Sequence, residues 1–215
     1  MTKLSPRAQE KRAQILRGAR QAFMDGGFAA TSTDAVVKQA GVSKQTLYVY
    51  FRTKDELLVA VLEELLEALP ERGLPEITDG TTPDAAWVRR AALELARAFV
   101  RLTMQPDYIA LMRILVAESG TRPELADQFR ARMPAGVIAA INRILEVAVD
   151  ADVVHERVLE QRGVAARGLL GPLVTYPVID GLLSPGEDAR PPDDEVLELI
   201  VDRWLAGLEV RDQTV

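Results

Sequence analysis

The chain lacks cysteine, carries one histidine, and spends only eleven of its 215 residues on Phe, Trp and Tyr. Each shortage excludes something. Without Cys there are no disulfides and no thiolate metal ligands, and with His155 as the single imidazole we read neither a His-cluster metal site nor a Ser-His-Asp relay. No glycine-rich loop of the phosphate-cradling kind is present. The carboxylates Glu94, Asp107 and Glu118, with Arg113, stand isolated on helical segments, where such groups are ordinarily solvated. The expectation is a protein that is not an enzyme and needs neither cofactor nor metal. Long apolar runs are missing as well. The longest uncharged stretch, residues 168–179, is twelve residues and holds Pro172 and Pro177, whereas a spanning helix needs about 20. The amino terminus, MTKLSPRAQEKRAQ, is too charged for a secretory leader. A cytoplasmic protein with no membrane partner is expected.

What is present is charge of unequal distribution and helical periodicity. Residues 1–56 hold ten Lys and Arg against five acids, a surplus of +5, so the remainder carries −11 of the total −6. A basic head on an acidic body suits a polyanion at one end, although a solvated basic face has the same composition. Ser5-Pro6 reads as a cap with Pro at the first helical position, and Ile15, Ala19, Ala22 and Phe23 keep helical spacing until Gly26-Gly27. Thr33 is read as the cap of a second helix ending at Gly41, and Ser43 as the cap of a third over Lys44 to Tyr50. Thr53 to Glu56 forms a capping box before Leu57, Leu58, Val61, Leu62, Leu65, Leu66 and Leu69.

The stretch from Pro70 to Pro83 has no apolar period and reads as a loop, after which Thr82-Pro83-Asp84 restarts helix. Further helices are expected near 107–119, 123–132, 135–149, 153–182 and 193–209, with no strand pattern. The fold class is therefore all-α, with a head over residues 1–56, a fourth helix running on as connector to about 69, and a larger helical domain over 57–215.

Two short helices joined through a glycine turn make the helix-turn-helix layout, whose second helix enters the DNA major groove. Val36, Val37, Ala40, Val42 and Leu47 supply the apolar faces between them, and Lys44, Gln45 and Thr46 stand at the start of the third helix, where base-reading side chains belong. Tyr48, Tyr50 and Phe51 crowd the end of that helix. At about 100° per residue they cannot all point inward, so Phe51 is assigned to packing and the Tyr48 hydroxyl to a phosphate oxygen, with Tyr50 open to either role and packing of the small head by all three the alternative.

The stretch GFAATSTDAVVKQAGVSKQTLYVYFRTKDELL, residues 27–58, resembles the DNA-binding region of the TetR family of bacterial transcriptional regulators. The resemblance implies that Lys44, Gln45 and Thr46 meet bases and backbone, that Tyr48 and Lys54 bind phosphate, and that Thr31 to Thr33 form the polar entry to the second helix; Ser43 and Tyr50 complete the candidate DNA-binding set. Tyr50 replaces a frequent His, Val37 a frequent Ala, and Gln45 a frequent Gly. It also implies a dimer on a palindromic double-stranded operator, acting as a repressor released by a small, mostly apolar effector held between the middle helices.

For that effector the large side chains Trp87, Phe99, Met104, Tyr108, Met112, Phe129 and Met133 are the candidate lining, with ordinary core packing the equal alternative for each. A homodimer seam is read from Leu159, Gly163, Ala166, Leu170 and Val174 together with Leu197, Ile200, Val201, Trp204 and Leu208, the alternative being that both stripes pack only within the monomer. The competing reading is a structural helical dimer that binds no DNA.

Overall fold

Caps and glycines decide where the first helices begin and end. In a computed structural model of the chain the described residues are 5–66, 83–184 and 190–208, without the side chains of 66 and 132–134. Helix α1 (Pro6–Gly26) starts on Ser5, whose Oγ accepts from the Ala8 amide at 3.3 Å, and stops at Gly27 with φ +71°. Helix α2 (Thr33–Ala40) is capped by Ser32, not Thr33: the Ser32 Oγ takes the Ala35 amide at 3.1 Å, and Thr33 becomes the first helical residue. Helices α3 (Lys44–Tyr50) and α4 (Lys54–Leu66) follow. Residues 57–62 of α4 are all buried, as expected of a helix apolar all round.

Helix α5 (Ala85–Thr103) is capped by Asp84, which accepts from the Trp87 amide at 2.7 Å, so Pro83 precedes the cap; Thr82 lies outside the described residues. Helices α6 (Pro106–Ser119) and α7 (Pro123–Asp150) come next. The two helices read over 123–132 and 135–149 are one, since the backbone continues through Pro134. A proline costs a helix one amide donor and crowds the preceding turn without always breaking it.

The single helix read over 153–182 is instead three pieces: α8 (Arg157–Glu160), α9 (Arg162–Thr175) and a π-helical segment (Tyr176–Leu182). Gln161 leaves helical geometry between the first two, and Pro172 and Pro177 each remove an amide from the ladder of the others. Helix α10 (Asp194–Ala206) closes the described chain. The expected loop over 70–83 lies, but for its last residue, outside the described residues, as does Leu69.

Contacts group the chain into two compact units that do not follow chain order. The first contains α1–α4 with residues 106–133, and the second contains the remainder of the described chain. In the first unit Ile15, Leu16, Phe23, Phe28, Leu58, Leu62, Leu111 and Leu125 are buried. In the second a single apolar cluster gathers Val88, Ala92, Leu95, Ile141, Ile144, Leu169, Leu173, Val201 and Trp204. The Trp204 Nε1 donates to the Ala165 carbonyl at 2.8 Å and ties α10 to α9. Along the other flank of α10, Arg89 pairs with Asp202 and Glu198, and Arg97 with Asp194.

Candidate nucleic-acid interface

Helix α3 follows a close crossing of α1 and α2. A Cβ placed on Gly18 would stand 2.5 Å from the Ala40 Cα, so the crossing of α1 and α2 admits nothing larger than glycine. Beside that crossing the Gln14 Nε2 donates to the Ala40 carbonyl at 2.8 Å, satisfying an end-of-helix acceptor. Gly41 then turns the chain with φ +63°, and the Val42 amide returns to the Val37 carbonyl at 3.2 Å while the Gly41 amide reaches Lys38 at 3.3 Å. That pair of bonds is the Schellman ending, which a left-handed residue makes possible. Two residues on, Ser43 caps α3 by accepting from the Thr46 amide at 3.0 Å.

Once capped, α3 buries Leu47 and leaves Lys44, Gln45, Tyr48 and Val49 exposed, with Thr46 and Tyr50 half-buried. Phe51 is buried under the Arg12 guanidinium of α1, 5.7 Å from the ring centre, the packing role assigned to it. Ser43 and Thr46 bond to each other, Oγ to Oγ1 at 2.7 Å, so both hydroxyls already have a partner at the helix start. Gln45, Tyr48 and Tyr50 have no side-chain hydrogen bond among the described residues. Lys44 Nζ lies 2.8 Å from the Asp34 carboxylate of α2, and this bond raises its pKa above the ordinary lysine value.

The structure separates two residues from this face. Thr31 is buried and its hydroxyl donates to the Ala22 carbonyl at 2.9 Å and the Gly27 carbonyl at 2.6 Å. It staples the loop between α1 and α2 rather than offering a hydroxyl outward. Lys54 Nζ donates to the carbonyls of Phe28, Thr31 and Ala29 at 2.6, 3.0 and 3.3 Å, and sits 4.4 Å from the Phe28 ring centre. An ammonium has three protons, so in this state all are committed. Partial desolvation, helped by the nearby Arg122 charge, lowers the Lys54 pKa. Arg122 in turn bonds Asp55 at 2.9 Å and lies 5.6 Å from the same Phe28 ring. Thr33, half-buried, keeps its place at the first turn of α2.

The residues read as an effector lining are divided. Trp87, Phe99 and Met104 belong to the buried cluster of the second unit. Tyr108, Met112 and Phe129 belong to the first, and Met133 lies outside the described side chains. Burial pushes the Tyr108 phenol well above its usual range.

The residues read as a dimer seam fall into two groups. Ala166, Leu197, Val201, Trp204 and Leu208 are buried within the chain's own cluster, and Leu159, Gly163, Leu170, Val174 and Ile200 are half-covered. The amphipathic stripe of α10 serves the internal core first. Beside it an open groove of about 580 Å³ is lined by Val164, Gly168, Leu199 and Ile200 together with the edges of Trp204 and Leu208, and Val164 and Leu199 are exposed.

Sequence reasoning missed Gly18, Gln14, Asp34 and Arg122. Only Gly18 left a signal, a glycine inside an otherwise strong helical run.

A glycine-turned helix pair with its second helix capped, anchored by one leucine and polar outward defines a helix-turn-helix protein. Residues 15–61 match the description "Bacterial regulatory proteins, tetR family", and residues 91–202, more than half of the chain, match "AefR-like transcriptional repressor, C-terminal domain". The chain belongs to the tetR family of bacterial regulatory proteins, which are transcriptional regulators and not enzymes.

The HTH-type transcriptional activator FasR of Mycolicibacterium smegmatis is 33% identical over 128 residues, covering 56% of this chain and 52% of that protein. The regulator TtgR of Pseudomonas putida is 42% identical over 60 residues, 28% of this chain and 29% of that one. The chain thus spans about half or less of the length of these two relatives. Among solved structures, the flavonoid-responsive regulator FrrA superimposes with a TM-score of 0.62 at 29% identity, over 96% of this chain and 100% of that one. The fatty acid degradation regulator FadR from Bacillus halodurans gives 0.64 at 18% identity, over 98% and 100%, a likeness of fold alone. No helix among the described residues is long and apolar enough to cross a membrane.

Proposed function

We propose that this regulator binds a palindromic double-stranded operator as a homodimer, represses the adjoining gene, and lets go when a small, mostly apolar effector binds its helical region. The observation that carries the reading is the exposed face of α3: Lys44, Gln45 and Tyr48 project together from a helix rigidly capped at Ser43 and anchored by Leu47. Lys44 and Tyr48 are the phosphate contacts of this reading, Gln45 and Thr46 the base contacts, with Tyr50 and Thr33 at the edge. Lys54 supports the site from behind, reaching phosphate only by giving up a carbonyl. Repression is favoured over activation by the description matched over residues 91–202, although FasR is an activator.

The effector part draws support from FrrA, which is flavonoid-responsive, and from one feature of the second unit. Trp87 is buried with an indole N–H that has no acceptor among the described residues, and an unmet buried donor costs about 1–3 kcal/mol. An apolar molecule carrying one acceptor would relieve it. Release then requires that the effector bind the DNA-incompetent arrangement more tightly, and it can shift the equilibrium only by that difference.

The experiment is fluorescence anisotropy of the full chain with promoter DNA from its own locus across a salt series. A steep decline of affinity with salt is expected, and Lys44→Ala should lower the slope of log K against log salt by about 0.9 for each phosphate that a subunit no longer neutralises. Salt-independent or absent binding sinks the reading and favours a structural dimer.

A further inference from the structure

One side chain on α3 has a chemistry that phosphate and polar base contacts leave unused. Val49 is 75% exposed, more than any other large hydrophobic side chain among the described residues. It stands on the helix that exposes Lys44, Gln45 and Tyr48, not on a face covered by α1 or α2. In a helix, residues four apart share a stripe, so Val49 lies directly one turn beyond Gln45. A solvated helical position would be filled more cheaply by Ala, Lys, Gln or Glu, because a β-branched side chain loses rotamer freedom there. The same stiffness gives a pair of methyl groups held in one direction, which is of use only against an apolar partner.

In the DNA major groove the base edges offer hydrogen-bond donors and acceptors with one apolar exception, the C5-methyl group of thymine. We propose that Val49 reads a thymine methyl, and that Gln45, one turn earlier on the same stripe, reads an adenine through its N6 and N7. This rests on α3 being the groove-facing helix. Four helical residues advance about 6 Å, against about 3.4 Å per base pair, so the adenine and the thymine stand roughly one to two base pairs apart in each half-site. A protein partner seated on Val49 is the rival occupant. It is disfavoured by the company Val49 keeps, since a cation, a carboxamide and a phenol around one small apolar group match the groove's phosphate rim, polar edges and methyl.

The test uses the full chain and the tightest duplex selected from a random pool. Each thymine is replaced singly by uracil, which differs only by lacking the methyl. One thymine per half-site should respond, with affinity falling about 4-fold for each methyl removed. Val49→Ala, present in both subunits, should weaken the parent duplex as much as replacing both responding thymines, about 16-fold, and then show no further decline when either thymine becomes uracil. Ala is a better helix former than Val, so misfolding does not confuse the result.

If Val49→Ala leaves the uracil penalty in place, or if no thymine responds, the assignment of Val49 is overturned. Lys44→Ala on the same duplexes separates the two levels of failure: a uniform weakening with a silent Val49 removes only the thymine reading, whereas a silent Lys44 removes the groove-facing role of α3 and with it this proposal.

Discussion

Single side chains at the interface divide into those aimed outward and those already engaged. Lys44 is engaged with Asp34, yet both are well exposed, so the pair is easily exchanged for a phosphate. In the proposed complex Asp34 competes with DNA for Lys44, and Asp34→Asn should tighten operator binding by up to about 5-fold at low salt, with the gain shrinking as salt rises. Unchanged or weaker binding in a low-salt titration would mean that Asp34 orients Lys44 instead of restraining it.

Tyr108 yields a pH expectation. Its phenol is held neutral by burial, so its folded pKa is raised above the ordinary value of 10.0. The stability it contributes is whole below pH 10 and is lost as the pH climbs, because the unfolded chain ionises a phenol that the folded one keeps protonated. Thermal denaturation at pH 8 and pH 11 should show a smaller alkaline drop in Tm for Tyr108→Phe than for the parent chain. An equal drop in both would contradict the burial.

Among elements, the α1–α2 crossing sets the position of everything that follows. Replacing glycine by alanine inside an exposed helix ordinarily stabilises by roughly 0.5–1 kcal/mol. At Gly18 the added methyl meets the Ala40 backbone, and overpacking of that kind costs about 1–3 kcal/mol. Gly18→Ala should therefore lower Tm and weaken operator binding together, since α2 and with it α3 must shift; a raised Tm would show that the crossing has slack. The carbonyl cage around Lys54 acts on the same scale. It fixes the loop from Phe28 to Thr31 to the first turn of α4, while Arg122 holds the Phe28 ring and Asp55 from the far side.

For the whole molecule, the proposed homodimer needs a face that a second copy can cover. The outward groove of α9 and α10 is the apolar surface left after the internal core is filled, and a symmetric dimer presents such a face to itself. Leu199 is exposed at its edge, so Leu199→Glu should leave helicity intact while shifting the chain toward monomer in sedimentation velocity at micromolar concentration. A variant that still sediments as a dimer would move the interface elsewhere. Dimer loss should also weaken operator binding, because two half-sites about 34 Å apart need two linked heads.

Local chemistry was readable before any coordinates. Ser5, Gly27, Gly41 and Ser43 end or begin helices through bonds made within a few residues, and the family motif over residues 27–58 is itself such a run of caps, turns and one inward leucine. Where two neighbouring residues can both cap, as Ser32 and Thr33 can at the start of α2, the local rule is ambiguous by one position. The backbone through Pro134 and the three pieces of 157–182 were not legible, because a proline states what it removes and not whether neighbouring turns compensate.

What tertiary structure alone decided is the destination of polar and apolar groups that sequence treats alike. Thr31 and Lys54 match a DNA-contact motif, but their hydrogen bonds go to carbonyls from four to 26 residues away, and only the folded loop brings those acceptors within reach. Val201 and Leu199 stand two residues apart on α10, one fully buried and the other open to a groove, because a helix turns about 100° per residue and the core on one side accepts only one of them.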